Sequence, residues 1–141
     1  MIHKATFAMG CFWGPDDFFS QLPGVLGTIV GYAGGMKENP IYTNLGDHTE
    51  TIEIEFDPSV ISYKELLEHF WEERDPTASQ KRQYKSIIFY HNEGQRREAQ
   101  ASRRQEEQKR SKKTATEIRT AGVFYKAEEY HQKYFQKQMR Q

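Results

Sequence analysis

The sequence predicts an α+β protein, a two-layer α/β sandwich with a ferredoxin-like split βαβ core and additional helices. Three observations lead there. The segment TETIEIEF alternates strictly between apolar and polar residues, whereas ISYKELLEHFWEER places its large apolar residues at helical spacing. The elements run strand, helix, strand, strand, helix, strand, which is the order of a split βαβ arrangement. The 141 residues contain no repeat and no linker, so residues 1–141 are expected to form a single domain with one core.

The elements follow in chain order. HKATFAM, residues 3–9, forms a short strand that stops at Gly10. Pro15 sets the start of a helix near Gly14, since proline fits the first turn but not the interior, and Pro23-Gly24 ends it. Cys11 therefore lies in a strand-to-helix turn. VLGTIVGYAGG is a second strand entering a glycine-rich loop, and MKENPIYTNLGDH continues it with no apolar period, a length usually kept for function. In TETIEIEF, Ile52, Ile54 and Phe56 share one face and Thr51, Glu53 and Glu55 the other, where Glu53 and Glu55 are expected to be solvated. Asp57-Pro58 breaks that strand. Ser62 and Glu65 then form a capping box, with Ile61 able to staple to Leu66, and open a helix that buries Tyr63, Leu66, Leu67, Phe70 and Trp71. YKSIIFYH is a strand; NEGQRREAQASRRQEEQKRSKK is a solvated outer helix; TEIRTAG is a last edge strand; AEEYHQKYFQKQ is a final helix with Tyr130 and Tyr134 one turn apart.

Composition excludes several classes. Lysine plus arginine and aspartate plus glutamate balance at 20 each, so no net charge calls for nucleic acid or an anionic surface. The basic outer helix is interrupted by Glu98, Glu106 and Glu107 and interleaves no aromatic residue, which argues against a nucleic-acid face. No apolar run reaches the length of a signal peptide or a membrane span, so a cytoplasmic protein with no membrane partner is expected. The histidines, at 3, 48, 69, 91 and 131, show no pair at ligand spacing, and no metal is expected. GYAGG lacks the lysine of a phosphate loop.

The chemistry gathers around MGCFWGPD, which holds the only cysteine. A lone cysteine is either a small packed hydrophobe or a reactive group, and it cannot form an internal disulfide. At the start of a helix, the dipole and free backbone N–H groups favour thiolate, and Gly10 and Gly14 permit a tight bend and close approach. Phe12 and Trp13 flank the sulfur; read alone, Phe12 serves core packing as well as a pocket wall. Glu50 shares parity with Ile52 and Ile54, so the pleat aims it at the buried side, where a carboxyl tends to stay protonated and becomes a candidate acid. At a frayed strand start it would instead reach water. Tyr32, Tyr42 and Tyr84 stand at irregular places and could donate hydrogen bonds without adding charge, although each also suits packing.

Taken in order, GCFWG, GYAGG, NPIY, HTE, FDP, QYKSIIF and AEEYHQKYF resemble peptide methionine sulfoxide reductase of type A over nearly the whole chain. GCFWG in a strand-to-helix turn is the most specific of these. The resemblance implies reduction of the S epimer of methionine sulfoxide, with no bound cofactor. It implies that Cys11 is the nucleophile and Glu50 the acid. It further implies that Phe12 and Trp13 receive the substrate methyl group, and that Tyr42 and Tyr84 donate hydrogen bonds to the sulfoxide oxygen.

Three departures stand out. Many relatives carry an aspartate shortly before the QY pair; here DPTASQKRQY is shortened, Asp75 comes too early and that role is unfilled. The loop between Tyr42 and Glu50 also looks shortened, and no cysteine-bearing tail precedes the end at Gln141. The expected partners are methionine sulfoxide in peptides or proteins, and thioredoxin, glutaredoxin or a small thiol as reductant, acting on a monomer. The missing aspartate motivates an alternative, a catalytically weak module that binds oxidised methionine. A peroxide-reducing thiol enzyme fits the aromatic surroundings of Cys11 less well.

Overall fold

The structure, a computed structural model, describes residues 1–74 and 81–139. The shortened segment with Asp75 and Ser79, and the terminal Gln141, lie outside the described residues.

Among the described residues, six strands form one sheet in the order β5-β4-β1-β3-β2-β6. They are β1 His3–Met9, β2 Val25–Ala33, β3 Thr49–Phe56, β4 Ser86–Tyr90, β5 Glu117–Thr120 and β6 Phe124–Lys126. Every neighbouring pair is antiparallel except β4 with β5. Helices α1 (Trp13–Ser20) and α2 (Tyr63–Glu73) each join two strands that have one other strand between them. Helices α3 (Glu93–Arg110) and α4 (Tyr134–Met139) follow. The architecture is α+β, as expected.

One face of the sheet carries the main core. Ala5, Phe7 and Met9 of β1 and Ile52, Ile54 and Phe56 of β3 meet Phe19 of α1, Leu66, Leu67 and Phe70 of α2 and Ala99 of α3 in one buried apolar cluster. The period-two reading of β3 is thus met on this face. The opposite face is less solvated than expected. Thr49 and Thr51 are buried, and Glu53 pairs with Lys4 at 3.5 Å. The reason is position: β3 is central, between β1 and β2, and a second small cluster of Ala8, Ala33, Ile87 and Phe89 covers part of that side.

Local signals mostly perform as read. Ser62 and Glu65 close a reciprocal capping box at α2, and Ile61 shares the main core with Leu66. Helix α3 buries only Gln95 and Ala99, and the Trp71 indole N–H donates to Ser102 across the α2 contact. Helix α1 begins at Trp13, two residues before Pro15, because the N–H groups of a first helical turn have no intrahelical acceptor and a proline there forfeits nothing.

Two expectations fail near the carboxyl end. TEIRTAG does supply an edge strand, β5, but it is not the last one, because the three-residue β6 forms the other edge. Strand β6 comes so close to β2 that a Cβ on Gly31 would overlap the Tyr125 carbonyl and the Phe124 ring, so glycine is required there. The segment AEEYHQKYFQKQ is not one helix. A 3-10 turn at Glu129–His131 gives way to Lys133 at φ 54°, and α4 starts only at Tyr134. Tertiary bonds break it. The Gln132 side chain accepts from Val30 N–H and donates to Val30 O and Ala127 O, and buried Asp16 takes both the main-chain N–H (2.7 Å) and the ammonium (3.2 Å) of Lys133.

Candidate active site

The site forms where the carboxyl end of β1 meets the amino end of α1. Gly10 adopts φ 88°, a conformation suited to glycine, and turns the chain so that Cys11 stands exposed ahead of the helix. An open groove of about 340 Å³ runs from Cys11 past Gly14, Pro15 and Phe18 of α1, with Met9, Glu73 and Phe135 completing its walls. Cys11 thus has space on one side and the Glu50 carboxyl within electrostatic reach on the other.

Glu50 is 1% exposed, which removes the reading of a frayed strand end. The β-pleat aims it inward, and two donors hold it there: Phe12 N–H reaches Oε1 at 3.2 Å and Gln83 Nε2–H reaches Oε2 at 2.6 Å. Burial pushes the carboxyl above the ordinary glutamate range, and the two hydrogen bonds offset only part of that rise. The Cys11 thiol is also raised. Desolvation is the largest cause, the Trp13 N–H at the helix start works against it, and the Glu50 charge adds to it. The helix start does favour thiolate, as the sequence implies. That terminus acts through Trp13 N–H, but burial outweighs it, so both proton-bearing groups hold their protons to higher pH than free side chains.

The phenols converge on the same space. Tyr84 closes the 3-10 turn Arg82–Tyr84, and its hydroxyl is raised first by burial and then by Glu50, Tyr42 and Cys11, with a hydrogen-bonding contact to Tyr42. Tyr42 projects from the turn in which Ile41 bridges Asn44, and its ring lies 4.6 Å from that of His131. The surrounding loop is tied down: Met36 and Lys37 N–H groups donate to the Asp47 carboxylate, and His48 bonds Gly35 N–H and Lys37 O. Tyr32 is different. It is fully buried in β2 and its hydroxyl donates to Glu128 at 2.8 Å.

The two aromatics after Cys11 part company. Phe12 is 2% exposed and packs in the main core against Tyr32 and His131, with ring centroids at 5.9 and 5.2 Å. Trp13 is half-buried, stacks on Tyr134 at 3.8 Å and 6°, and donates its indole N–H to His131 Nδ1 at 3.0 Å. That bond places the imidazole proton on Nε2, which is buried without a hydrogen-bond partner among the described residues. Gln83, Glu128, His131 and Tyr134 were missed as site residues. Gln83 precedes Tyr84 in a motif already singled out, whereas the other three sit in a segment whose helical propensity concealed its role.

Among the described residues, no group of three or more His, Cys, Asp or Glu could hold a metal ion, and no helix is long and apolar enough to cross a membrane. An accessible thiol beside a buried, protonation-prone carboxyl, with phenolic donors and an aromatic wall, can attack an electrophilic centre while a proton is delivered to the group it displaces. Fold and site define a thiol oxidoreductase. The comparisons narrow this. The family model for peptide methionine sulfoxide reductase matches residues 3–141, and the chain belongs to that family.

A peptide methionine sulfoxide reductase of Drosophila melanogaster is 50% identical over 92% of this chain, which spans 54% of the fly protein. The reductase MsrA of Methanothermobacter thermautotrophicus is 48% identical over 97% of this chain and 88% of its own length. Among solved structures, reduced Mxr1 from Saccharomyces cerevisiae superposes with a TM-score of 0.90 at 29% identity, covering 99% of this chain and 87% of the yeast chain. The same yeast protein in complex with Trx2 gives a TM-score of 0.71 at 29% identity, covering 94% and 84%.

Proposed function

We propose that this chain reduces the S epimer of methionine sulfoxide, free or in peptides and proteins, with Cys11 as nucleophile and Glu50 as acid. Family membership supports the substrate class, and the single observation that supports these roles is the buried Glu50 carboxyl held beside the exposed Cys11 by Phe12 N–H and Gln83. The sulfoxide sulfur is electrophilic, but its oxygen does not leave until protonated. Cys11 attacks sulfur, forming a bond between the two sulfurs, while its S–H proton passes to solvent and Glu50 delivers a proton to the oxygen; Glu50 regains its proton from solvent afterwards. The Tyr42 and Tyr84 hydroxyls donate to that oxygen as the S–O bond polarises.

The protonated oxygen then leaves the substrate sulfur for the Cys11 sulfur, and the bond between the two sulfurs breaks with its electron pair on the substrate side. The substrate sulfur gains two electrons to become methionine, and the Cys11 sulfur loses two to become a sulfenic acid. The two raised groups suit this exchange. A protonated Glu50 relieves the repulsion that opposes thiolate formation at Cys11, so acid and nucleophile become ready in the same state. The part-exposed Trp13 face, backed by Phe12, receives the methyl group and selects one epimer, since exchanging epimers swaps the oxygen with the sulfur lone pair.

Recycling takes two external thiols. The first condenses with the sulfenic acid, releasing water and leaving a mixed disulfide, and the second displaces Cys11. Within residues 1–141 Cys11 has no second cysteine to resolve it. Thioredoxin, glutaredoxin or a small thiol fits, and the yeast relative solved with Trx2 favours a redoxin. We assign this activity to a single domain over residues 1–141, acting as a monomer in the cytoplasm. The alternative, a weakly catalytic binder of oxidised methionine, loses ground because the acid, thiol and phenols are all assembled. Incubation with separated sulfoxide epimers and dithiothreitol tests the proposal: methionine should form from the S epimer only, and turnover of neither epimer would refute it.

A further inference from the structure

The segment after β6 is fastened to β2 and α1 at three points. Ala127 N–H donates to Val30 O at 2.9 Å, the Gln132 side chain brackets Val30, and Lys133 is caught by Asp16. Between these anchors, the half-buried Glu128 carboxylate reaches two targets. Oε1 accepts the Tyr32 hydroxyl at 2.8 Å, and Oε2 accepts Tyr42 N–H at 3.0 Å. Tyr32 is fully buried in the core, whereas Tyr42 sits in a surface turn. The carboxylate therefore bolts the turn to the sheet, and His131, three residues on, packs against the Tyr42 ring.

We propose that Glu128 is a positioning residue for sulfoxide reduction, holding the Tyr42 hydroxyl at the reacting oxygen through its bond to the Tyr42 main chain. The proposal rests on the reading of Tyr42 as a hydroxyl donor. Burial alone would raise Glu128, but the Tyr42 N–H, its own N–H and the Tyr32 hydroxyl hold it below the ordinary range, so the group stands as an anion between its two donors. Loss of the bond leaves Tyr42 N–H without this acceptor and releases the turn, and displacing a donor from its reacting atom lowers the rate far more than ground-state binding.

The test is a double-mutant cycle on the single-turnover rate of methionine formation from the S epimer, using the full chain. Glu128→Ala should slow this step roughly ten-fold while KM changes by no more than about two-fold. Glu128→Gln, whose carbonyl still accepts one N–H, should restore most of the rate. In a Tyr42→Phe background, Glu128→Ala should cost less than about two-fold, because the hydroxyl it positions is already gone. Tyr32→Phe, which removes one support of the carboxylate and keeps the other, provides a milder variant and should show a smaller loss that also vanishes with Tyr42→Phe. Equal losses in the two backgrounds would overturn the proposal and leave a general structural role. If Tyr42→Phe is as fast as the parent, the reading of Tyr42 fails first and takes the proposal with it.

Discussion

Replacing Glu50 by glutamine separates the carboxyl group's chemistry from its packing. Glutamine keeps the volume and one carbonyl oxygen, so either Phe12 N–H at 3.2 Å or the Gln83 amide at 2.6 Å loses its acceptor. The fold should lose about 1 kcal/mol on that account. The buried charge works the other way. Because burial raises the folded-state value of Glu50 above its unfolded one, ionisation adds no penalty at acid pH, and the penalty grows as pH rises through the raised value. The variant's stability deficit should therefore shrink, or reverse, from acid towards alkaline pH. The rate behaves differently. A positioned acid contributes about 10² to 10⁴, or roughly 3 to 5 kcal/mol of barrier, several times the folding term. Rapid-quench single turnover with the S epimer measures it, and urea unfolding across pH measures the stability. In the parent, the reductive rate should fall as pH rises through the raised Glu50 value, and that descending limb should be absent in Glu50→Gln. A variant rate within a few-fold of the parent, or an unchanged descending limb, would refute the assignment of Glu50 as acid.

Cys11→Ser should fold normally and form no methionine, because the side chain is exposed and a serine hydroxyl is barely ionised at neutral pH; any retained turnover counts against the mechanism. Reduced protein given the sulfoxide without reductant should release one methionine per chain and leave a sulfenic acid that dimedone traps, as mass spectrometry reads directly; a free unmodified thiol after release would show that the oxygen went elsewhere. Lys133→Met should destabilise the protein by roughly 2 to 3 kcal/mol in urea, since it strips the ammonium from fully buried Asp16; the value sits below that of a wholly buried pair because Lys133 is one-third exposed. A change below about 0.5 kcal/mol would mean that the Thr28 hydroxyl and Lys133 N–H suffice for Asp16.

Much of this molecule was legible from local signals. The parity of Glu50 with Ile52 and Ile54 predicted a buried carboxyl, and the pleat delivers one at 1% exposure. The Ser62 and Glu65 pair marked the start of α2, because capping is settled within four residues. Motif order placed Cys11, Tyr42 and Tyr84 together, although no periodicity links them. Other features belong to contacts distant in sequence. The chain from Ala127 to Met139 has helical propensity, yet Asp16 and Val30, over a hundred residues away, bend it at Lys133 and bring His131 and Tyr134 onto Trp13. Strand β6 exists because Gly31 leaves room for it. The thiol of Cys11 illustrates the division most plainly: its place ahead of a helix was readable, but the balance between the Trp13 N–H and burial depends on what surrounds the sulfur, and only the folded chain sets that. A side chain's direction along a strand or helix is a local property. The dielectric and the partners it meets there are not.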